Sequence, residues 1–216
     1  WTSSRDRIAE FGSLLALVTG TLARIGTEVY QLQRSEIDEL REPAPAGGIG
    51  SITMPHKRNP EASEHLATLA RLVRSSATVL VEGIVAEHER DGRAWKAEWV
   101  ALPEACLLTG AALSLALSLL DGLEIDSAAM QRNLGPFSGS EQALAILAPQ
   151  LGKHRAQAAL QEALTDGRRR GWSLVEALAA ANLLDEAAAQ RVTEPYTGAA
   201  AEMVDLVIRR ARTARE

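Results

Sequence analysis

An all-α fold is what this sequence predicts: a bundle of long helices followed by a small all-α C-terminal domain. Three observations carry that reading. Apolar residues recur at alternating steps of three and four over long stretches, the seam of helices packed nearly parallel. No run keeps a period of two. Aromatic residues make up only 4% of the 216 residues, low for a β protein.

The first helix covers residues 8–32, with Ile8, Phe11, Leu15, Val18, Leu22, Ile25, Val29 and Leu32 on its seam. Gly12, Gly20 and Gly26 weaken an isolated helix, so close approach of a second backbone is expected there. Residues 42–60 break the pattern. Pro43, Pro45, Pro55 and Pro60 alternate with Gly47, Gly48 and Gly50, and no helix survives that punctuation. The second helix is expected to start with Asn59 as N-cap and Pro60 at the first helical position. Its seam reads Leu66, Leu69, Val73, Ser76, Leu80 and Gly83. Residues 86–100 form a polar interruption. A third seam follows at Ala105, Leu108, Ala112, Leu115 and Leu119.

After Gly122 the helices become short. Local breaks at Gly135-Pro136, Gly152, Gly167, Gly171, Pro195 and Gly198 leave helices over 126–133, 140–150, 154–169, 173–183, 185–192 and 197–213. The domain boundary is therefore placed at 123/124: 1–123 as the C-terminal part of a central long-helix bundle, 124–216 as the small helical domain.

Composition bounds the function. A net charge of −5 argues against a nucleic-acid role. The single Cys106 cannot form an internal disulfide, and the four histidines lack metal-site spacing. The polar residues 1–7 do not read as a secretory signal. The most apolar stretch, residues 105–120, is 16 residues long, short of the ~20 needed to span a bilayer. A cytoplasmic, non-membrane protein is expected, and no metal or organic cofactor.

The segment Gly50-Ser51-Ile52-Thr53-Met54-Pro55-His56-Lys57-Arg58-Asn59-Pro60 carries the chemistry. Glycines allow close backbone approach, Ser51 and Thr53 offer hydroxyls, and Lys57 offers a compact cation. Asn59 stands at a helix N-terminus, where N–H groups attract anions. By residue type this is equally an anion-binding lid or a solvated connecting loop.

The segment resembles the G-S-S-x-M-P-x-K-x-N-P motif of the fumarase/aspartase superfamily, with Ile52 in place of the second serine. The resemblance implies that Ser51 removes a proton from the carbon beside a carboxylate. It makes Thr53, Met54, Lys57 and Asn59 the residues that hold the substrate. Glu64 corresponds to a family glutamate that pairs with a histidine from another subunit. The earlier motif that supplies this histidine is not in the chain. An N-terminal domain and the start of the bundle, with the general acid, are therefore expected outside it.

Glu87–Trp99, EHERDGRAWKAEW, chooses a branch. His88-Glu89-Arg90-Asp91 resembles the adenylosuccinate lyases, but the Trp95-x-x-Glu98-Trp99 continuation is similar to the bacterial carboxymuconate cycloisomerases. So are the opening W-T-S-S-R-D, with Thr2 where histidine is usual, and the EPYTG near the end. Trp95 and Trp99 share one helical face, which equally fits packing. Arg90, Arg93 and Trp95 are expected to meet a di- or tricarboxylate. The branch implies cycloisomerisation of 3-carboxy-cis,cis-muconate to a lactone in aromatic catabolism, with no cofactor, in a homotetramer that shares its active sites. The alternative is a fumarate-releasing lyase acting on a substituted succinate.

Overall fold

The computed structural model describes residues 3–43, 58–193 and 196–214. They form two compact units, Trp1–Asn133 and Leu134–Glu216.

The first unit is built on three long helices: α1 (Asp6–Leu32), α2 (Glu61–Glu82) and α3 (Gly92–Asp121). α2 packs against both α1 and α3. Its expected seam holds, with Leu66, Val73, Ser76 and Leu80 buried and Leu69 half-buried. Fully burying a leucine or valine contributes about 1.5–3 kcal/mol. α3 also follows its expected seam, burying Ala105, Ala112 and Leu119. It begins at Gly92, inside the stretch expected to be an interruption. Asp91 starts it: its side chain accepts from the Arg93 N–H at 3.0 Å, an N-cap.

The face that α1 buries departs from the expected seam in its N-terminal half, while Val29 of that seam is buried and Leu22 and Leu32 pack on the core. Ala9, Gly12, Thr19, Gly26 and Val29 are buried, while Phe11 is 43% and Leu17 is 70% exposed. Small residues let α2 approach closely. A Cβ on Gly26 would lie 3.1 Å from Leu66 Cβ and 3.2 Å from the Ser63 carbonyl oxygen, and one on Gly12 would lie 2.5 Å from Leu80 Cδ1. Gly20 has no such neighbour. Gly26→Ala is therefore expected to destabilise by about 1 kcal/mol, overpacking against backbone outweighing the helix-propensity gain. Thermal unfolding checks this; a rise in Tm would show the contact is loose.

α1 and α3 are each long and apolar enough, by length and composition, to cross a membrane. The 16-residue count missed this because α3 starts earlier. Both pack against α2, which carries Glu61, Glu64, Arg71, Arg74 and Glu82.

Two short strands tie the ends together. β1 (Leu40–Arg41) pairs antiparallel with β2 (Glu124–Ile125), in the register Leu40 with Ile125 and Arg41 with Glu124. α4 (Ser127–Asn133) then packs onto this unit. Ala129 is buried, Met130 joins the core around Leu66 and Leu119, and Asn133 Nδ2 donates to the Ile37 carbonyl at 2.7 Å. These contacts move the boundary from the expected 123/124 to 133/134.

The second unit contains α5 (Ser140–Leu151), α6 (Lys153–Arg170), α7 (Leu174–Ala180), α8 (Glu186–Arg191) and α9 (Ala200–Thr213). Its core gathers Ala143, Leu160, Leu174, Leu178 and Val192. A capping box between Ser173 and Glu176 starts α7, and these hydrogen bonds hold the Glu176 carboxyl below its usual pKa.

Candidate active site

Ser51, Thr53, Met54 and Lys57 lie outside the described residues. The two ends of their segment are described. On one side the chain leaves β1 through Glu42 and Pro43; on the other it enters α2 through Arg58, Asn59 and Pro60. Pro60, not Asn59, is the N-cap of α2, and no side chain of the cap residue closes it. The cap comes from elsewhere. The buried Glu42 carboxylate accepts from Ala62 N–H at 3.0 Å and Ser63 N–H at 2.8 Å. These donors are orphans of the first helical turn, and the helix dipole favours a negative charge there. These two N–H groups are taken by Glu42 and are not open to a substrate anion.

Asn59 is exposed beside this cap, and Arg58 Nη1 reaches Glu124 Oε1 at 3.4 Å. Glu64 is exposed one turn into α2. It lines a polar cleft of about 420 Å3 between α1 and α2, with Thr27, Tyr30, Gln31, Ser63 and Arg71.

Arg90, Arg93 and Trp95 lie elsewhere. α2 has 22 residues, so it is about 33 Å long. They belong to the turn and helix start beyond its far end. One chain therefore does not bring them to Asn59 and Glu64. Arg90 is exposed, Trp95 is half-buried, and Trp99 is 69% exposed. Arg93 is engaged locally: its guanidinium donates to Asp91 at 2.9 and 2.7 Å and pairs with Glu87 at 3.0 Å. The Arg93 hydrogen bonds hold the Asp91 carboxyl well below the usual carboxylate range. His88, in the same turn, adopts the left-handed region at φ 56°, unusual for a residue with a Cβ.

This end holds a pair the sequence reading missed. Arg5 grips Glu98 in a bidentate contact, Nε to Oε1 at 2.7 Å and Nη2 to Oε2. Glu98 is buried, and the Arg5 side chain is 17% exposed. The bond raises the Arg5 pKa further. It joins the two segments, W-T-S-S-R-D and A-W-K-A-E-W, that were read separately.

A bundle of three long helices, with the sequence segment Gly50–Pro60 standing immediately before the second of them, defines an all-α scaffold. A lyase family model matches residues 1–74. The chain is 42% identical over 217 residues to N-acetyl-S-(2-succino)cysteine lyase of Enterococcus italicus, covering 96% of this chain and 48% of that protein. It is 44% identical over 159 residues to 3-carboxy-cis,cis-muconate cycloisomerase of Pseudomonas aeruginosa, covering 72% of this chain and 35% of that protein. The crystal structure of 3-carboxy-cis,cis-muconate lactonizing enzyme from Pseudomonas putida superposes with a TM-score of 0.78 at 33% identity, over 92% of this chain and 46% of that one. The chain belongs to this lyase family, the fumarase/aspartase superfamily. It spans about half the length of the curated relatives it matches first.

Proposed function

We propose that the intact protein catalyses reversible addition–elimination across the carbon–carbon bond beside a substrate carboxylate. The observation that carries this is the segment Gly50–Pro60, set immediately before α2. Ser51 takes the proton from the carbon next to the carboxylate. The dianion that forms is held by Lys57 and Asn59, donors aimed at developing charge. A serine hydroxyl is a weak base at neutral pH, so nearby positive charge and exclusion of water must support its alkoxide.

Two finer readings differ in what leaves. In the first, the substrate is a 2-substituted succinate. The C2–heteroatom bond breaks as the C3 proton goes to Ser51, releasing fumarate and, for a succinated thiol, the thiol. The relatives matched along nearly the whole chain, N-acetyl-S-(2-succino)cysteine lyases and a nitrosuccinate lyase, support it. So does Thr2, which stands where the cycloisomerase opening has histidine. In the second, the bond is to a carboxylate of the same molecule, and 3-carboxy-cis,cis-muconate closes to a lactone. The W-x-x-E-W sequence and the cycloisomerase relatives support that one.

The active site in this proposal is shared between subunits of a homotetramer. Arg90 and Trp95 stand a helix length from Asn59 and Glu64, so another copy must bring them together. Apolar side chains left on α1 and α3, among them Phe11, Leu14, Leu17, Leu107 and Leu117, offer the faces for such packing. Glu64 serves as the partner of a histidine contributed by another subunit.

Lys57→Ala in the intact protein is expected to lower kcat/KM by about 10²–10³, as loss of one charge-stabilising donor does. Steady-state kinetics on the accepted substrate tests this. An unchanged kcat/KM refutes the role.

A further inference from the structure

We propose that Glu42 is a positioning residue for the catalytic segment. Its carboxylate is a clasp that fixes where the chain enters and leaves residues 44–57. The catalytic consequence rests on the function proposed above; the clasp itself rests on geometry alone.

Four contacts define it. Glu42 Oε2 accepts from Ala62 N–H at 3.0 Å and Oε1 from Ser63 N–H at 2.8 Å. The Glu42 N–H donates to Gln33 Oε1 at 2.7 Å, just past the end of α1. The α1–α2 packing at Gly26, Ser63 and Leu66 holds the two helices at this level. Glu42 is 7% exposed and Ser63 is 1% exposed, so water does not compete for the bonds. Hydrogen bonds to a charged acceptor are the strong kind, and low local dielectric strengthens them.

The clasp spans 20 and 21 residues of sequence. A helix cap normally lies next to its helix; this one sits on the opposite side of the chemistry-bearing segment. It therefore holds Glu42 and the first turn of α2, the described residues on either side of that segment, at one point on the bundle. Gln33 Nε2 and Ser63 Oγ are buried in the same network and have no hydrogen-bond partner among the described residues. They leave polar groups beside the clasp, one just past the end of α1 and one in the first turn of α2. The distance scale of catalysis gives the clasp its effect: a misplacement of 1 Å in a reacting group costs about 10²-fold.

The test uses the intact protein with two variants, Glu42→Gln and Glu42→Asp. The amide keeps the volume but turns an N–H donor toward one backbone N–H. Aspartate keeps the charge on a shorter arm. Hydrogen exchange is followed by mass spectrometry over residues 58–66, with residues 101–119 of α3 as internal reference. Turnover is measured well below the unfolding temperature, beside Val73→Ala, a core variant in the middle of α2 that lowers stability without touching the clasp. The expected result for Glu42→Gln is exchange at 58–66 faster by at least about tenfold, unchanged exchange in α3, and a kcat reduced by at least about tenfold. Val73→Ala keeps the wild-type kcat, and Glu42→Asp lies between wild type and Glu42→Gln. If Glu42→Gln does not fold, Glu42→Asp is held to the same two criteria. Unchanged exchange at 58–66 overturns the clasp. Faster exchange with the kcat of the Val73→Ala control overturns the positioning role and leaves only a helix cap. Absence of any turnover in the wild type defeats the functional reading instead, and the exchange result then decides the clasp by itself.

Discussion

Ser51→Ala in the intact protein is expected to lower kcat by about 10³–10⁴ while leaving Tm and oligomeric state unchanged. A positioned general base contributes about 10²–10⁴ in rate, and the upper part of that range applies here. Removing the proton next to a carboxylate leaves a dianion, and no water held in place of Ser51 matches an alkoxide as base. Alanine deletes one oxygen and needs no repacking of the helices. Binding of a substrate analogue is therefore retained, because Lys57 and Asn59 remain. Single-turnover kinetics and analogue titration separate the two effects. A variant with near-wild-type kcat removes Ser51 from the mechanism, and the base must then be sought elsewhere.

Glu98→Ala is expected to destabilise by about 3–5 kcal/mol, the range for breaking a buried ion pair by removing one partner. The pair is bidentate and its carboxylate is buried, so truncation leaves Arg5 with little water to replace the lost carboxylate. In a unit of this size the loss corresponds to a Tm lower by about 10–20 °C. The double variant Arg5→Met with Glu98→Leu is expected to recover most of the loss, since well-packed apolar replacements of buried pairs are often neutral or better. A Tm change below about 2 °C for Glu98→Ala would place the pair with ordinary surface bridges.

The bundle was legible from periodicity along α2 and α3, where the expected seam is the buried face: Leu66, Val73 and Leu80 on α2, Ala105, Ala112 and Leu119 on α3. It misled along α1. There the hydrophobic seam counted Phe11, Leu15 and Val18, yet the face turned to α2 is the stripe of Gly12, Thr19 and Gly26. Backbone approach selects small residues, and a count of apolar bulk ranks them last. Their spacing of seven was the available signal. The start of α3 was missed because Asp91 was read as part of a polar motif and not as a cap. Glu42 could not be found from sequence, since its partners lie 20 and 21 residues away and its role is fixed only by the fold.

The motif residues were legible as types but not as neighbours. Helix length alone separates Arg90, Arg93 and Trp95 from Asn59 and Glu64, a consequence that follows from α2 being uninterrupted. Arg93 was read as a substrate cation; its bonds to Asp91 and Glu87 make it part of the turn that starts α3. The Arg5–Glu98 pair brings one residue of W-T-S-S-R-D against one residue of A-W-K-A-E-W, two segments far apart in sequence.

The most direct measurement offers the intact protein two substrates in parallel, N-acetyl-S-(2-succino)cysteine and 3-carboxy-cis,cis-muconate. Fumarate and free thiol are assayed in the first, and loss of conjugated ultraviolet absorption in the second, with Ser51→Ala as the control. The account predicts turnover of at least one, absent in the Ser51→Ala protein, with fumarate and thiol appearing in equal amounts if it is the first. No reaction with either substrate, or reaction that survives in Ser51→Ala, would contradict it.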